Sequence, residues 1–234
     1  MKKMLHGILY SMLYCVALMP FWLLYRLADV TFVLLYYVVR YRRKVVDRNL
    51  SESFPEKSRD ELRTVERQFY RHFADYIFET IKLLHISDRQ MSRRMTFENV
   101  DIIDRYTAAG RSVAVYFSHC GNWEWAPSIT LHTRLKPDRG IIFGQVYRPL
   151  RDKWTDSLML KLRSRFKSHS FPKNTVFRDI IRVCRNTGLP AVVGFMSDQH
   201  PSHGDLIHVV EFLNHPTALI TGTETLARKL NMGV

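Results

Sequence analysis

The sequence predicts an α/β fold: a mixed sheet flanked by helices, behind an N-terminal membrane-associated helical segment. Three observations carry this. Short apolar runs at Val113–Phe117, Ile141–Tyr147 and Ala191–Met196 alternate with segments of helical spacing. Two further apolar runs occupy the first forty residues. Hydrophobic residues make up 46% of 234 residues, with only ten Gly and nine Pro, which excludes disordered, collagen-like and low-complexity chains. That length fits one core plus an appendage, and the expected division is an anchoring helical segment over 1–44 and a main domain over 45–234.

The run Ile8 to Tyr25 contains no charged residue, Thr31 to Val39 is equally apolar, and both lead into the basic segment Arg40–Lys44. Eighteen uncharged residues lie at the lower edge of the ~17–25 that cross a bilayer as α-helix. Leu18–Trp22 is too bulky for a secretory cleavage site, so the segment stays in the mature chain. Through residue 50 there are eight Lys or Arg against two acidic residues, beside Trp22 and several Tyr, the flanks of a segment held on anionic lipid. A spanning helix, two helices lying in the interface, and a core helix with an Arg26–Asp29 i,i+3 pair all remain open.

Residues 45–94 are charged and helical. Ser58 and Glu61 form a capping-box signature, and Leu62, Val65, Phe69, Phe73, Tyr76, Ile77 and Leu84 recur near a 3.6 period, an amphipathic helix packed on the core. After the first two strands come helices over Asp156–Phe166 and Thr175–Arg185, the latter capped by Asn174 or Thr175 and stopped by Asn186–Gly188. Val209–Leu213 reads as an edge strand. Thr221 to Glu224 opens a last helix that closes at Asn231–Gly233, where a further strand is expected, so the fold is expected to be cut short at Val234.

The net charge of +13 calls for an anionic partner, whether phospholipid, nucleic acid or acidic protein. Cys15, Cys120 and Cys184 are odd in number and have no metal-like spacing, so they read as free thiols in a reducing compartment.

The chemistry concentrates where the strand Val113–Phe117 runs into Ser118-His-Cys-Gly-Asn-Trp-Glu124. On one continuous helix His119 and Glu124 would diverge by about 140°. With a bend at Gly121, the Glu124 carboxylate can hold one imidazole nitrogen while the other takes a proton, which makes His119 a general base. Cys120, adjacent on an extended segment, points away from His119, which argues against a thiol nucleophile.

The string His119-Cys-Gly-Asn-Trp-Glu124 resembles the H-x4-D/E motif of glycerolipid acyltransferases, in the version carried by bacterial lipid A late acyltransferases, the lauroyl and myristoyl transferases. Arg48-Asn-Leu-Ser-Glu-Ser-Phe-Pro55, Val146-Tyr-Arg-Pro149, Ser197-Asp-Gln199, Val210–Asn214 and Thr221-Gly-Thr223 are similar to further elements of that family and follow in its order. Phe212-Leu-Asn214 departs from the family's Phe-Phe-Gly, and Cys120 stands where Phe is commoner.

The resemblance implies a glycerolipid acyltransferase-like fold and acyl transfer from an acyl carrier protein thioester to a hydroxyl of a lipid A precursor or related glycolipid. It places the protein at the bacterial inner membrane, with the catalytic domain facing the cytoplasm, and implies neither cofactor nor metal. His119 is then the base and Glu124 its partner. Asn122 orders the turn, Arg148 holds an acceptor phosphate or stabilises oxyanion charge, and Asp198 and Gln199 shape the same cleft.

Other readings compete. His200, His203, His208 and His215 with Asp198 invite a metal, yet their spacing matches no zinc signature. An acyltransferase for another lysolipid or an aminolipid, a membrane-anchored lipid hydrolase using the same base on water, and a basic nucleic-acid-binding module stand as alternatives; the last lacks any recognisable binding motif.

Overall fold

The structure, a computed structural model, describes residues 2–137, 139–199, 201 and 208–234. The chain forms two compact units, Met1–His85 with Leu206–Ala218, and Ile86–Asp205 with Leu219–Val234.

The first unit is helical. Helix α1 (Lys2–Leu18) stops before Pro20, and α2 (Phe21–Val33) continues into one π-helical stretch, Leu34–Val38. Helices α3 (Arg43–Ser53) and α4 (Arg59–Lys82) follow. Phe21, Leu24, Ala28, Phe32 and Tyr36, spaced three or four apart, bury one face of the α2 stretch, and Ala28, Phe32 and Tyr36 share a cluster with Tyr70 and Ala74 of α4. Each large side chain so buried contributes about 1.5–3 kcal/mol.

The capping box forms as read, Ser58 N–H donating to Glu61 Oε2 at 2.8 Å. The buried face of α4 is Leu62, Glu66, Tyr70 and Ala74, turned from the apolar pattern of the sequence. Phe69, Phe73 and Tyr76 stack on one another along the flank instead. Glu66 can be buried because Tyr36 Oη and Arg43 Nε both donate to it at 3.1 Å. Lys82 Nζ donates to the Ala17 and Met19 carbonyls at 2.8 and 2.7 Å, satisfying groups that the end of α1 leaves open.

The second unit is the α/β body. It holds α5 (Asp88–Arg94), α6 (Asp101–Ala108), β1 (Val113–Phe117), a 3-10 helix (Trp123–Leu131), β2 (Ile142–Tyr147), α7 (Lys153–Arg163), β3 (His169–Pro172), α8 (Val176–Thr187) and β4 (Ala191–Met196). The strand order is β1-β4-β2-β3 and every pairing is parallel, with Phe117 opposite Met196 and Gly144 opposite both Val193 and His169. Gly144 has no room for a side chain, since a Cβ there would meet the Phe171 ring.

The sheet is thus parallel, not mixed. The antiparallel pair that would have made it mixed, β5 (Val209–Phe212) and β6 (His215–Ala218), is a separate hairpin in the first unit. Val209–Leu213 is accordingly no edge strand of the main sheet. Leu213 and Asn214 both take positive φ, the backbone of a tight two-residue hairpin turn.

One side of the sheet buries Ala114, Ile142, Ala191, Val193 and Phe195 against Ile180 of α8 and Leu226 and Ala227 of α9 (Gly222–Lys229). The other buries Val113, Ile141, Phe143 and Val192, with Ile103 and Ile129 packed against them. Where the sequence predicts a further strand, Gly233 makes a parallel bridge with Val113 at the free edge of β1, accepting the Ala114 N–H at 2.8 Å.

Candidate active site

The four parallel strands bring their carboxyl ends to one edge, the usual location of a site in an open α/β sheet. Beyond β1 the chain runs through Ser118 to His119 and turns sharply at Gly121, whose φ of +62° suits glycine. Beyond β4 it runs through Ser197 to Asp198. Phe117 and Met196 are register partners, so the residues two positions past each meet across neighbouring strands.

His119 Nδ1 lies 2.8 Å from Asp198 Oδ1, and the His119 backbone N–H donates to Asp198 Oδ2 at 2.7 Å. Burial by itself would raise the Asp198 carboxyl, but accepting the backbone and ring N–H groups of His119 outweighs it and holds the group below the usual carboxylate range. With Nδ1–H donating to an ionised Asp198, Nε2 carries the free lone pair. Gln199 Nε2 stands 3.2 Å from it, and the Trp123 ring meets the imidazole edge-on at 4.9 Å between centroids.

Glu124 is placed differently from the expectation. It is 3% exposed and forms a bidentate pair with Arg163, Nε to Oε2 at 2.8 Å and Nη2 to Oε1 at 2.6 Å. The partner of His119 is Asp198, and that of Glu124 is a guanidinium. The cause is topological: the 3-10 helix carries Glu124 inward under the site, while the crossover that makes β1 and β4 neighbours carries Asp198 to the imidazole.

His119, Glu124, Arg148, Arg163, Lys173 and Gln199 line a common cavity of about 440 Å³. Arg148 follows β2 directly and is exposed at its rim. Asn122 precedes the 3-10 helix and its carbonyl accepts the Trp125 N–H at 3.0 Å, a role in the turn. Thr223, from the last motif, also lines the cavity and lies 3.3 Å from Ser197 Oγ. Cys120 is an exposed free thiol. Of the histidines weighed as a metal cluster, His200 and His203 lie outside the described residues, and His215 pairs with Glu52 at 3.8 Å.

Arg163 has no motif of its own in the sequence. A signal for some such residue exists: a carboxylate set in Trp-Glu-Trp-Ala-Pro is destined for burial and needs a cation. Which cation depends on the return of α7 beneath the site, 39 residues away.

The arrangement supplies a proton acceptor held by an anion, a buried ion pair supporting the wall, and further cations facing the cavity. That set suits attack of a hydroxyl on a polarised carbonyl. A model of the bacterial lipid A biosynthesis acyltransferase family matches residues 3–234. No curated protein matches the chain significantly.

Proposed function

The chain belongs to the bacterial lipid A biosynthesis acyltransferase family, and on that footing we propose that it moves a fatty acyl group from an acyl carrier protein thioester to a hydroxyl of a lipid A precursor or related glycolipid. Residues 1–44 serve as the anchoring segment on the inner membrane, and 45–234 as the transferase domain on its cytoplasmic side. Phe21–Val38 supports the anchor, being the helix among the described residues long and apolar enough to cross a bilayer.

The observation that carries the chemistry is the His119–Asp198 pair facing a cavity. His119 Nε2 takes the proton of the acceptor hydroxyl as its oxygen attacks the thioester carbonyl, and Asp198 stabilises the imidazolium that forms. The tetrahedral oxyanion collapses with cleavage of the carbon–sulfur bond. The departing sulfur takes the proton back from Nε2, leaving an ester, a free carrier thiol and a neutral imidazole. Gln199 occupies the lone pair of Nε2 until the acceptor displaces it, and so orients the ring. Arg148 offers a charged fork to an acceptor phosphate or to the oxyanion.

The test is incubation of the full-length protein with acyl-loaded carrier protein and a lipid A precursor, read by mass spectrometry. A lipid heavier by one acyl group is expected. Free fatty acid with unchanged lipid would replace transfer by hydrolysis, and acylation of an added lysolipid or aminolipid alone would change the acceptor.

A further inference from the structure

The excess of positive charge sits in two places. The first fifty residues hold one part, beside the apolar helices. Residues 161–187 hold the other, with eight Lys or Arg against the single acid Asp179; the remaining 157 residues carry nineteen charges of each sign. The second block belongs to the α/β unit and needs its own explanation.

Some of these cations are already engaged, Arg163 with the buried Glu124 and Arg165 with the exposed Asp88. Others form a surface on α8. That helix turns Val176, Ile180, Val183 and Cys184 to the core, while Arg178, Arg182 and Arg185, at i, i+4 and i+7, line up on the opposite, exposed side. The stripe is about 10 Å long at 1.5 Å per residue. Arg182 shares Asp179 at 3.0 Å; Arg178 and Arg185 have no ion pair among the described residues. Phe177 stands 42% exposed beside them, with Lys229 Nζ 5.8 Å from its ring centre, so an apolar anchor sits within a cationic rim. The surface also adjoins the site: Lys173 and Val176, where α8 begins, line the cavity that holds His119.

We infer that this face, Arg178, Arg182 and Arg185 with Phe177 and Lys229, is the docking surface for the acidic acyl carrier protein that brings the thioester. The inference rests on the carrier-thioester reading above and adds where the carrier binds. A carrier must offer its thioester through the cavity mouth, so its contact has to border that mouth, and the start of α8 does. An acidic helix laid along the stripe meets successive guanidinium groups, while Phe177 supplies a desolvated contact at its end.

The experiment uses the full-length protein in detergent with fluorescently labelled acyl carrier protein loaded with a dodecanoyl chain, and the variants R178E/R182E/R185E and Phe177→Ala. Charge reversal is expected to weaken carrier binding at least about tenfold and to flatten its salt dependence. Binding to vesicles of phosphatidylglycerol and the rate with dodecanoyl coenzyme A, which carries no protein, are expected to stay within about twofold. Phe177→Ala should weaken carrier binding with the salt slope kept. Unchanged carrier binding in the reversal variant overturns the docking surface and leaves the donor reading intact. Loss of vesicle binding in place of carrier binding overturns it in favour of a lipid contact. If the unaltered protein does not bind the carrier and takes its acyl group from the coenzyme A thioester instead, the donor reading fails and the surface fails with it.

Discussion

Asp198 grips His119 with both carboxylate oxygens, Oδ2 on the backbone N–H at 2.7 Å and Oδ1 on ring Nδ1 at 2.8 Å. One contact fixes where the residue sits, and the other fixes which nitrogen carries the proton. Asp198→Asn keeps the shape but offers an amide N–H or a weaker acceptor to Nδ1, so the tautomer with a basic Nε2 loses its support. Turnover is expected to fall about 10²–10⁴-fold with little change in KM for either substrate. Steady-state kinetics checks this, and a turnover within a few-fold of the unaltered enzyme would separate Asp198 from the chemistry.

The Glu124–Arg163 pair leads to a different expectation. Glu124→Gln leaves a guanidinium that is four-fifths buried facing a neutral group, and losing one partner of a buried pair costs about 3–5 kcal/mol. Glu124→Gln and Arg163→Met should each lower the unfolding midpoint, and the double variant should recover much of the loss without recovering activity. Additive losses across this cycle, measured by thermal unfolding, would argue that the pair does not hold the wall.

Much of this was legible in the sequence, and the gaps have physical causes. β2 and β4 were readable because inner strands of a parallel sheet bury both faces and leave continuous apolar runs, and β1, though an outer strand, buries Val113 and Ala114 on opposite faces. β3 was not: His169-Ser-Phe-Pro172 is short, and its proline is tolerated because it lies on the outer strand. His119, Arg148, Asp198 and Gln199 could be picked out individually. That Asp198 and not Glu124 faces the imidazole depends on β1 and β4 being neighbours, a long-range fact that local spacing does not encode. The face of α4 departs from the apolar pattern for a related reason: the Glu66 carboxylate is buried among partners from the π-helical stretch and α3, whereas polarity alone assigns it to the surface.

Cys120 is exposed and adjacent to His119, yet the proposed mechanism gives it no task. Cys120→Ser and Cys120→Ala should transfer at near-normal rates, whereas His119→Ala should lose about 10²–10⁴-fold. Quenching with labelled acyl donor should leave no label on the protein. A covalent acyl-enzyme at Cys120 would replace direct transfer with a two-step route.

The acid response of the pair has a defined sign. The Asp198 carboxyl titrates below its unfolded value, so its contribution to stability is present above the ordinary carboxylate range near 3.9 and is lost as pH falls through the lower folded value. Asp198→Asn should therefore be less stable than the unaltered protein at pH 6–7, with the gap closing below about pH 4. Denaturant titrations at a series of pH values measure this. A gap that widens on acidification would contradict the ionised pair.

The helices at the N-terminus present a buried face and an exposed face, and the anchoring role proposed for the exposed one can be tested without unfolding the unit. Phe21, Leu24, Ala28, Phe32 and Tyr36 are buried, while on the other side Met4, Ile8, Met12, Trp22, Val30 and Val38 are each more than half exposed. This exposed apolar surface, interrupted on α2 by the exposed Arg26–Asp29 ion pair, is the one the proposal assigns to the bilayer. Deleting residues 1–44 would also remove the cover of Tyr70 and Ala74, so substitution of the outer face is the cleaner probe. Trp22→Ser, Val30→Ser and Val38→Ser together should cut binding to phosphatidylglycerol vesicles by well over tenfold, since each apolar side chain withdrawn from lipid forfeits about 1.5–3 kcal/mol. Removing charge at Arg40, Arg42 and Lys44 should act more weakly, and only at low salt. Flotation of full-length variants on a density gradient distinguishes the two, and a triple serine variant that still floats with the vesicles would show that the outer face of α2 is not what holds the protein to the membrane.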